Sequence, residues 1–436
     1  MDQARTMTAR ALAHAMLAGP RFEAALAARM AVCLDERPPW LAALASAMAR
    51  VPGEVWQRLD VQALGERVEA HEGFAQAWSG EHRPQACRWL LRPPDELAPA
   101  PAGLERPHWP TVGALARGLG LTPAGLWRLT LPPDWQRRRP LAQQHYRQQL
   151  IPKRSAGWRL LEVPAPYLRA VQRRLLGQLL NGLPPHAAAF GYARGRSVVQ
   201  HAALHAGQGR VLRFDLSDFF STVRASRVHA LFKTLGYSTA VARALAALCT
   251  TSTPEAWLRA QGRLDRQQCQ RLRDAHLPQG APTSPALANL CAFALDARLT
   301  GLAEQFGARY SRYADDLVIS GAASLPARAI SAWVAAIAAD EGFAVNPRKT
   351  RSLGVAQRQS VCGIVVNAHP NLPRDEFDRL KATLHRCVVD GPASQNRDGH
   401  ADWRAHLQGR VAWAAQLNAG KAEKLKALLD RIDWAR

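Results

Sequence analysis

Several features that would narrow the function of a 436-residue chain are missing here. The seven cysteines are odd in number, scattered and without a CxxC pair, which argues against a disulfide framework or a structural zinc site and leaves reduced, mostly buried thiols. No charge-free apolar run reaches the roughly 18 residues that a membrane helix needs. No N-terminal charged segment leads into an apolar stretch and a cleavage site. A soluble cytoplasmic protein with no membrane partner is therefore expected. No fixed-period repeat is visible, so a solenoid is not expected. Acidic charge is also in short supply: 35 Asp plus Glu stand against 57 Lys plus Arg, a net +22. That balance implies a polyanionic partner, with nucleic acid the first candidate.

At this length the chain exceeds one ordinary hydrophobic core, so a multi-lobed enzyme or two to three domains is expected. Residues 4–50 are rich in Ala, Leu, Met and Arg at near-helical spacing and read as two or so amphipathic helices. A Pro-rich stretch, Pro93 to Pro110, breaks that pattern and reads as a linker. The following TVGALARGLGLTPAGLWRL suggests two short helices, the second opened by Thr122 as cap and Pro123 at its first position. It resembles a helix-turn-helix loosely, and packing is the commoner use of such a pair. From Tyr146 short β-like runs (VLRFDL, DLVIS, SVCGIVVN) alternate with helical ones, an α+β texture. The tail from about Asn371 is helical again, with 12 basic and 9 acidic residues.

Two segments carry the chemistry. RVLRFDLSDFFSTV is an apolar strand ending at Asp215, and a buried strand keeps a carboxylate only where it is paired or metal-bound. ARYSRYADDLVIS places Asp315 and Asp316 between two β-like halves, as at a hairpin tip, where adjacent carboxylates repel unless a cation neutralises them. An ordinary polar turn is the plain alternative. Brought together on neighbouring strands, the three would hold two Mg²⁺ ions about 4 Å apart, a device for in-line phosphoryl displacement.

FDLSDFF, LPQGAPTSPALANLCAFALDARL and RYADDLVIS occur in the order and spacing of the reverse transcriptase core. The chain resembles that family from about Tyr146 through Asn367, and more narrowly the bacterial retron-type reverse transcriptases. The resemblance implies a right-hand polymerase, with fingers and palm over 141–370 and a helical thumb over 371–436. A helical N-terminal region, 1–92, and a linker with a short helical segment, 93–140, precede them. It implies that Asp215, Asp315 and Asp316 are catalytic and metal-binding. Lys153 and Arg159 would grip the incoming triphosphate, within a stretch from Arg137 to Arg174 that has ten basic residues and one acid, Glu162.

Phe220 falls where the family has an aromatic steric gate that clashes with a ribose 2′-hydroxyl, Gln279 and Gly280 where a loop lies against base and sugar, and Lys349 where a lysine serves the pyrophosphate. Core packing of both Phe219 and Phe220, and an exposed loop lysine, are the plain alternatives. The segment SPALANL would open a helix with Ser284 as cap and Pro285 in its first turn.

Retron enzymes also carry Asn-Ala-x-x-His and Val-Thr-Gly signatures. This chain has HAALH, His201 to His205, and Val361, Cys362, Gly363. His201 stands for the Asn and Cys362 for the Thr, which puts RNA contacts through those side chains in doubt. A satisfied structural histidine pair is the alternative, and a zinc HExxH helix is excluded by the missing Glu. The family likeness further implies an RNA-directed DNA polymerase that uses dNTPs and a structured non-coding RNA, binds an RNA/DNA hybrid and makes RNA-linked single-stranded DNA in antiphage defence beside a separate effector protein. Other defence-associated or group II intron-like reverse transcriptases, and a non-catalytic RNA-binding scaffold, are the alternatives.

Overall fold

In the computed structural model residues 3–90, 104–131, 140, 143–153 and 157–435 are described. They divide into two compact units, Met1–Glu96 and Leu97–Arg436. The described part of the first is helical throughout, six helices from Gln3–Leu17 to Glu72–Ser79 around Leu12, Met16, Met30, Leu44 and Phe74. Three of these lie within residues 3–49, where the sequence suggested two or so. Gly19-Pro20 and Pro38-Pro39 supply the breaks that Ala-rich periodicity hides, since Pro cannot continue a helix. The expected Pro-rich linker lies outside the described residues as far as residue 103, and residues 104–110 carry no helix or strand.

In the second unit, Val112–Gly118 and Pro123–Leu129 are each opened by a threonine. The hydroxyls of Thr111 and Thr122 accept from the amides of Ala114 and Gly125. Leu115, Leu119, Leu126 and Leu129 are buried in the main core, so this pair packs as the commoner reading held.

The strands follow the β-like runs. β1 (Tyr146–Pro152) and β2 (Trp158–Pro164) form a separate antiparallel ribbon. β3 (Arg210–Asp215), β4 (Arg309–Tyr313), β5 (Asp316–Gly321) and β6 (Arg351–Gly354) form an antiparallel sheet in the order β4-β5-β3-β6. β7 (Ser360–Val361) and β8 (Ile364–Val365) make a second small hairpin.

Alternation along a strand gives the four-stranded sheet two different faces. Leu212, Phe214, Tyr310, Leu317 and Ile319 enter the main core with helices that include Pro166–Gln178, Thr239–Cys249 and Ala327–Asp340. Val211 and Val318 enter a second core with Val361, Ile364 and the C-terminal helices Arg374–Asp390, Trp403–Leu417 and Ala419–Leu429.

SPALANLCAFALDARL is two helices, Ser284–Cys291 and Phe293–Gln305, bent by 49°. The cap residue is Thr283 rather than Ser284, which is itself helical and buried, while Pro285 sits in the first turn as expected. Among the described residues no single helix is long and apolar enough to cross a membrane.

Candidate active site

β3 and β5 pair so that Asp215 lies directly opposite Asp316, which puts both carboxylates on one face of the sheet. Tyr313 pairs with Asp316 across β4 and β5, leaving Ala314 and Asp315 as a two-residue turn. The carbonyl of Asp315 accepts from the Leu216 amide at 2.8 Å, tying the turn to the end of β3.

Like charges this close are costly. Burial, then the charge of Asp215, raises the pKa of Asp315, and burial, then Asp315, pushes Asp316 up to about 6. Lys349 relieves part of the repulsion by donating to Asp215 Oδ1 at 2.7 Å. Among the described residues no three His, Cys, Asp or Glu side chains already converge as a metal cage. The donor set nonetheless fits a hard divalent cation: three carboxylates, two of them with raised proton affinity, on adjoining strand ends.

A buried network holds the turn from behind. Arg312, fully buried on β4, donates through Nε and Nη2 to the two carboxylate oxygens of fully buried Asp296, at 2.8 and 2.6 Å. Its Nη1 donates to Asn289 Oδ1 at 2.9 Å and to the Ala314 carbonyl at 3.0 Å. Tyr310 donates to Asp296 at 2.8 Å, and Asn289 to the Gly191 carbonyl at 2.8 Å. Gly191 lies so close that a Cβ there would stand 2.5 Å from the Ala314 amide nitrogen. The sequence contained Arg312 within RYADD, but its partner is 16 residues back in a helix, and nothing local announces that.

Beyond Asp215 the chain turns through Asp218, a left-handed residue (φ 51) held by Arg271 at 2.8 Å, into the short helix Phe219–Thr222. Phe219 packs into the main core, stacked on Phe343, while Phe220 is only partly buried at the core edge. With Leu161, Tyr192, Gln279, Gly280 and Ser284 it lines a cavity of about 510 Å³, into which Arg169 and Arg173 also face. Gly280 is required there: its φ is +129, and a Cβ would lie 3.2 Å from the Glu162 carbonyl oxygen.

The ribbon borders this cavity. The Glu162 amide donates to the Gln279 carbonyl at 2.9 Å, and the buried Glu162 carboxylate binds Thr253 and His276, each at 2.8 Å. Burial would lower the His276 pKa, yet the Glu162 charge and hydrogen bond outweigh it and the net direction is up. Arg159, on β2, is exposed and close enough to act electrostatically on Asp315 and Tyr192. Lys153 sits at the ribbon tip, where its amide donates to the Gly157 carbonyl.

Of the retron-like signature residues, His201, His205 and Val361 are buried, whereas Cys362 is half-buried and Gly363 exposed. His201 and His205 are fully buried. His205 has Ser320 Oγ at 2.6 Å and Ser311 Oγ at 2.7 Å on its two ring nitrogens, so the structural alternative describes it as it sits. Burial lowers His201 to about 4 and His205 to about 3, keeping both neutral. His201 stacks on Tyr313 and has its Nδ1 3.6 Å from Cys362 Sγ. Cys362 and Gly363, with φ of +47 and +84, are the two-residue turn joining β7 to β8, and Val361 is buried in the second core. The Cys362 thiol, 3.9 Å from Asp316, is pushed up to about 12 by burial and then by that carboxylate. Sequence reading missed Arg312, Asp296, Asn289 and Tyr192; Gly191 beside Tyr192 was the one local sign of a close backbone approach.

The family described as reverse transcriptase (RNA-dependent DNA polymerase) matches residues 151–366. The retron Mx65 reverse transcriptase of Myxococcus xanthus is 39% identical over 339 residues, covering 76% of this chain and 74% of the relative. The retron Mx162 reverse transcriptase of the same organism is 32% identical over 408 residues, covering 89% and 78%. The retron Ec86 reverse transcriptase of Escherichia coli is 29% identical over 291 residues, covering 66% and 81%. Reverse transcriptases work with divalent metal ions, in keeping with the carboxylate set. The chain belongs to the bacterial retron-type reverse transcriptases and is an RNA-directed DNA polymerase.

Proposed function

We propose that the chain copies a structured non-coding RNA into single-stranded, RNA-linked DNA, with Asp215, Asp315 and Asp316 as the catalytic carboxylates. The observation that carries this reading is the register of Asp215 against Asp316 with Asp315 in the adjoining turn, beside a cavity of nucleotide size. In it, the β1–β2 ribbon serves as fingers, the four-stranded sheet as palm and residues 371–436 as thumb, preceded by the helical region 1–92 and the segment 93–140.

Asp215, Asp315 and Asp316 would hold two Mg²⁺ ions, which would supply activation of the primer hydroxyl and neutralisation of the departing pyrophosphate. Lys153 and Arg159 bind the triphosphate, the guanidinium in a forked geometry suited to phosphate. Phe220 closes the space beneath the sugar and so excludes a 2′-hydroxyl. Gln279 and Gly280 lie along base and sugar, and Lys349 leaves Asp215 to protonate pyrophosphate. The excess of basic residues holds an RNA/DNA hybrid by its backbone. Cys362 and Gly363 sit beside the primer end, His201 supports that turn from within, and His205 ties its helix to β4 and β5, neither histidine touching RNA directly. Antiphage defence with a separate effector protein, in the cytoplasm, completes the reading by family likeness.

The test is primer extension by the purified chain on an RNA template with dNTPs and Mg²⁺, beside the double variant Asp315→Asn, Asp316→Asn. Mg²⁺-dependent DNA that the variant does not make supports the mechanism. Sequencing of co-purified nucleic acid identifies the RNA and any branched linkage. Failure to extend any template, including co-purified RNA, overturns the proposed mechanism in favour of a scaffold.

A further inference from the structure

Tyr192 is an aromatic residue held in a backbone conformation that aromatic residues avoid. Its φ is +58, in the left-handed region, while its side chain is 54% exposed. Neither burial nor local propensity explains such a residue. Strain of this kind persists only where the surroundings dictate it, and it gathers at working sites. The surroundings here are the turn that carries Asp315: the Phe190 amide donates to the Arg312 carbonyl at 2.7 Å, and Asn289 holds the Gly191 carbonyl. The segment is clamped to the hairpin and delivers the Tyr192 ring to the cavity wall.

There it meets Phe220, ring centroids 6.2 Å apart and tilted by 50°, within the range of a favourable aromatic pair. Phe220 also meets Phe219, centroids 5.6 Å apart, and Phe219 is fixed by Phe343 and by Arg312, whose guanidinium carbon lies 5.5 Å from the ring centre. Phe220 therefore contacts one ring buried in the core and one that is half-exposed.

We propose that Tyr192 is the positioning residue for sugar selection: it braces Phe220 so that the gate ring cannot rotate away from a 2′-hydroxyl. This rests on the reading of Phe220 as the gate. Exclusion by shape works only as well as the wall is rigid, because a ring that yields admits the larger sugar. The Tyr192 ring supplies the bracing, and its hydroxyl has no part in it.

The test is single-nucleotide insertion by the full chain on an RNA template, with kcat and KM measured separately for a dNTP and the matching rNTP. Tyr192→Ala is expected to lower the dNTP-to-rNTP preference by about 2- to 12-fold, the value of one aromatic pair, through a lower KM for the rNTP. Tyr192→Phe, which keeps the ring, is expected to retain the preference of the native chain. Tyr192→Gly relieves the backbone strain and is expected to fold at least as well while losing the same preference as Ala, which separates selection from misfolding. Native preference in Tyr192→Ala overturns the brace, as does a loss in Tyr192→Phe equal to that in Ala. Phe220→Val distinguishes the two layers: if it loses selection while Tyr192→Ala does not, the brace alone fails, and if it keeps native selection the gate itself falls.

Discussion

Replacing Asp296 by Asn keeps the shape of a buried side chain and removes the only charge opposite Arg312 within its network. Both residues are fully buried, and Arg312 makes two of its four described hydrogen bonds to that carboxylate. The carboxamide would point a donor or a weaker acceptor at a guanidinium that cannot lose its proton. Removing one partner of a buried ion pair costs about 3–5 kcal/mol, because the remaining charge keeps its desolvation penalty. At about 1.4 °C per kcal/mol for a unit the size of Leu97–Arg436, the midpoint of thermal unfolding should fall by about 4–7 °C.

Circular dichroism on the native chain, Asp296→Asn, Arg312→Met and the double variant Asp296→Leu, Arg312→Met measures this directly. The double variant leaves no unpaired charge and is expected to regain most of the lost stability. It is still expected to polymerise poorly, because the Ala314 carbonyl loses the donor that fixes the turn of Asp315. An Asp296→Asn midpoint within about 1 °C of the native one, roughly 1 kcal/mol or less, would refute the reasoning, as would a double variant no better than the worse single.

Asp316→Asn should abolish nucleotide incorporation and, in chelator, raise the unfolding midpoint, since it removes one of three mutually repelling carboxylates; a lower midpoint would contradict the electrostatic account. The Glu162–His276 pair gives stability a pH dependence. The folded pKa of His276 lies above its unfolded value, so the stabilisation is complete below about pH 6.5 and is lost as pH rises through the raised folded value. Urea unfolding across that window should show the decline in the native chain and a flatter profile in His276→Gln. Gly280→Ala must put a Cβ at φ +129 and 3.2 Å from a carbonyl, and should cost about 1–3 kcal/mol and raise the KM for dNTPs; an unchanged KM and midpoint would show that the loop relaxes freely.

The clustered carboxylates were legible because their signal is local: an apolar strand that ends in Asp, and an Asp pair between two strand halves, survive any packing. The right neighbours were not. His201 and His205 carry a family signature, but which way a helix turns its face is decided by the sheet beneath it, and Ser311 and Ser320 are over a hundred residues away in the chain. Nothing local marks Arg312 as buried, since a buried guanidinium is rare and it is Asp296, distant in the chain, that makes it tolerable. Helix boundaries slipped where side chains do not decide them, as at Thr283 and Ser284, and helix number slipped where alanine blurs the periodicity, as before Glu36.

The β1–β2 ribbon has a mechanical consequence. It belongs to no larger sheet, and it is fastened at its base, where Ala165 donates to the His145 carbonyl and Glu162 grips Thr253, His276 and the backbone of Gln279. Farther out, Leu150 and Leu160 pack with Leu258 and Leu272, and Arg263 lies over the Trp158 ring near the tip, so the ribbon is held along its length as one stiff strip. Lys153 rides at the far end, and Gln279 is bonded to the base. Under the proposed function, a triphosphate held at the tip and the loop set along base and sugar are joined by this one strip, so that grip at one end of the substrate and fit at the other would be felt as a single displacement.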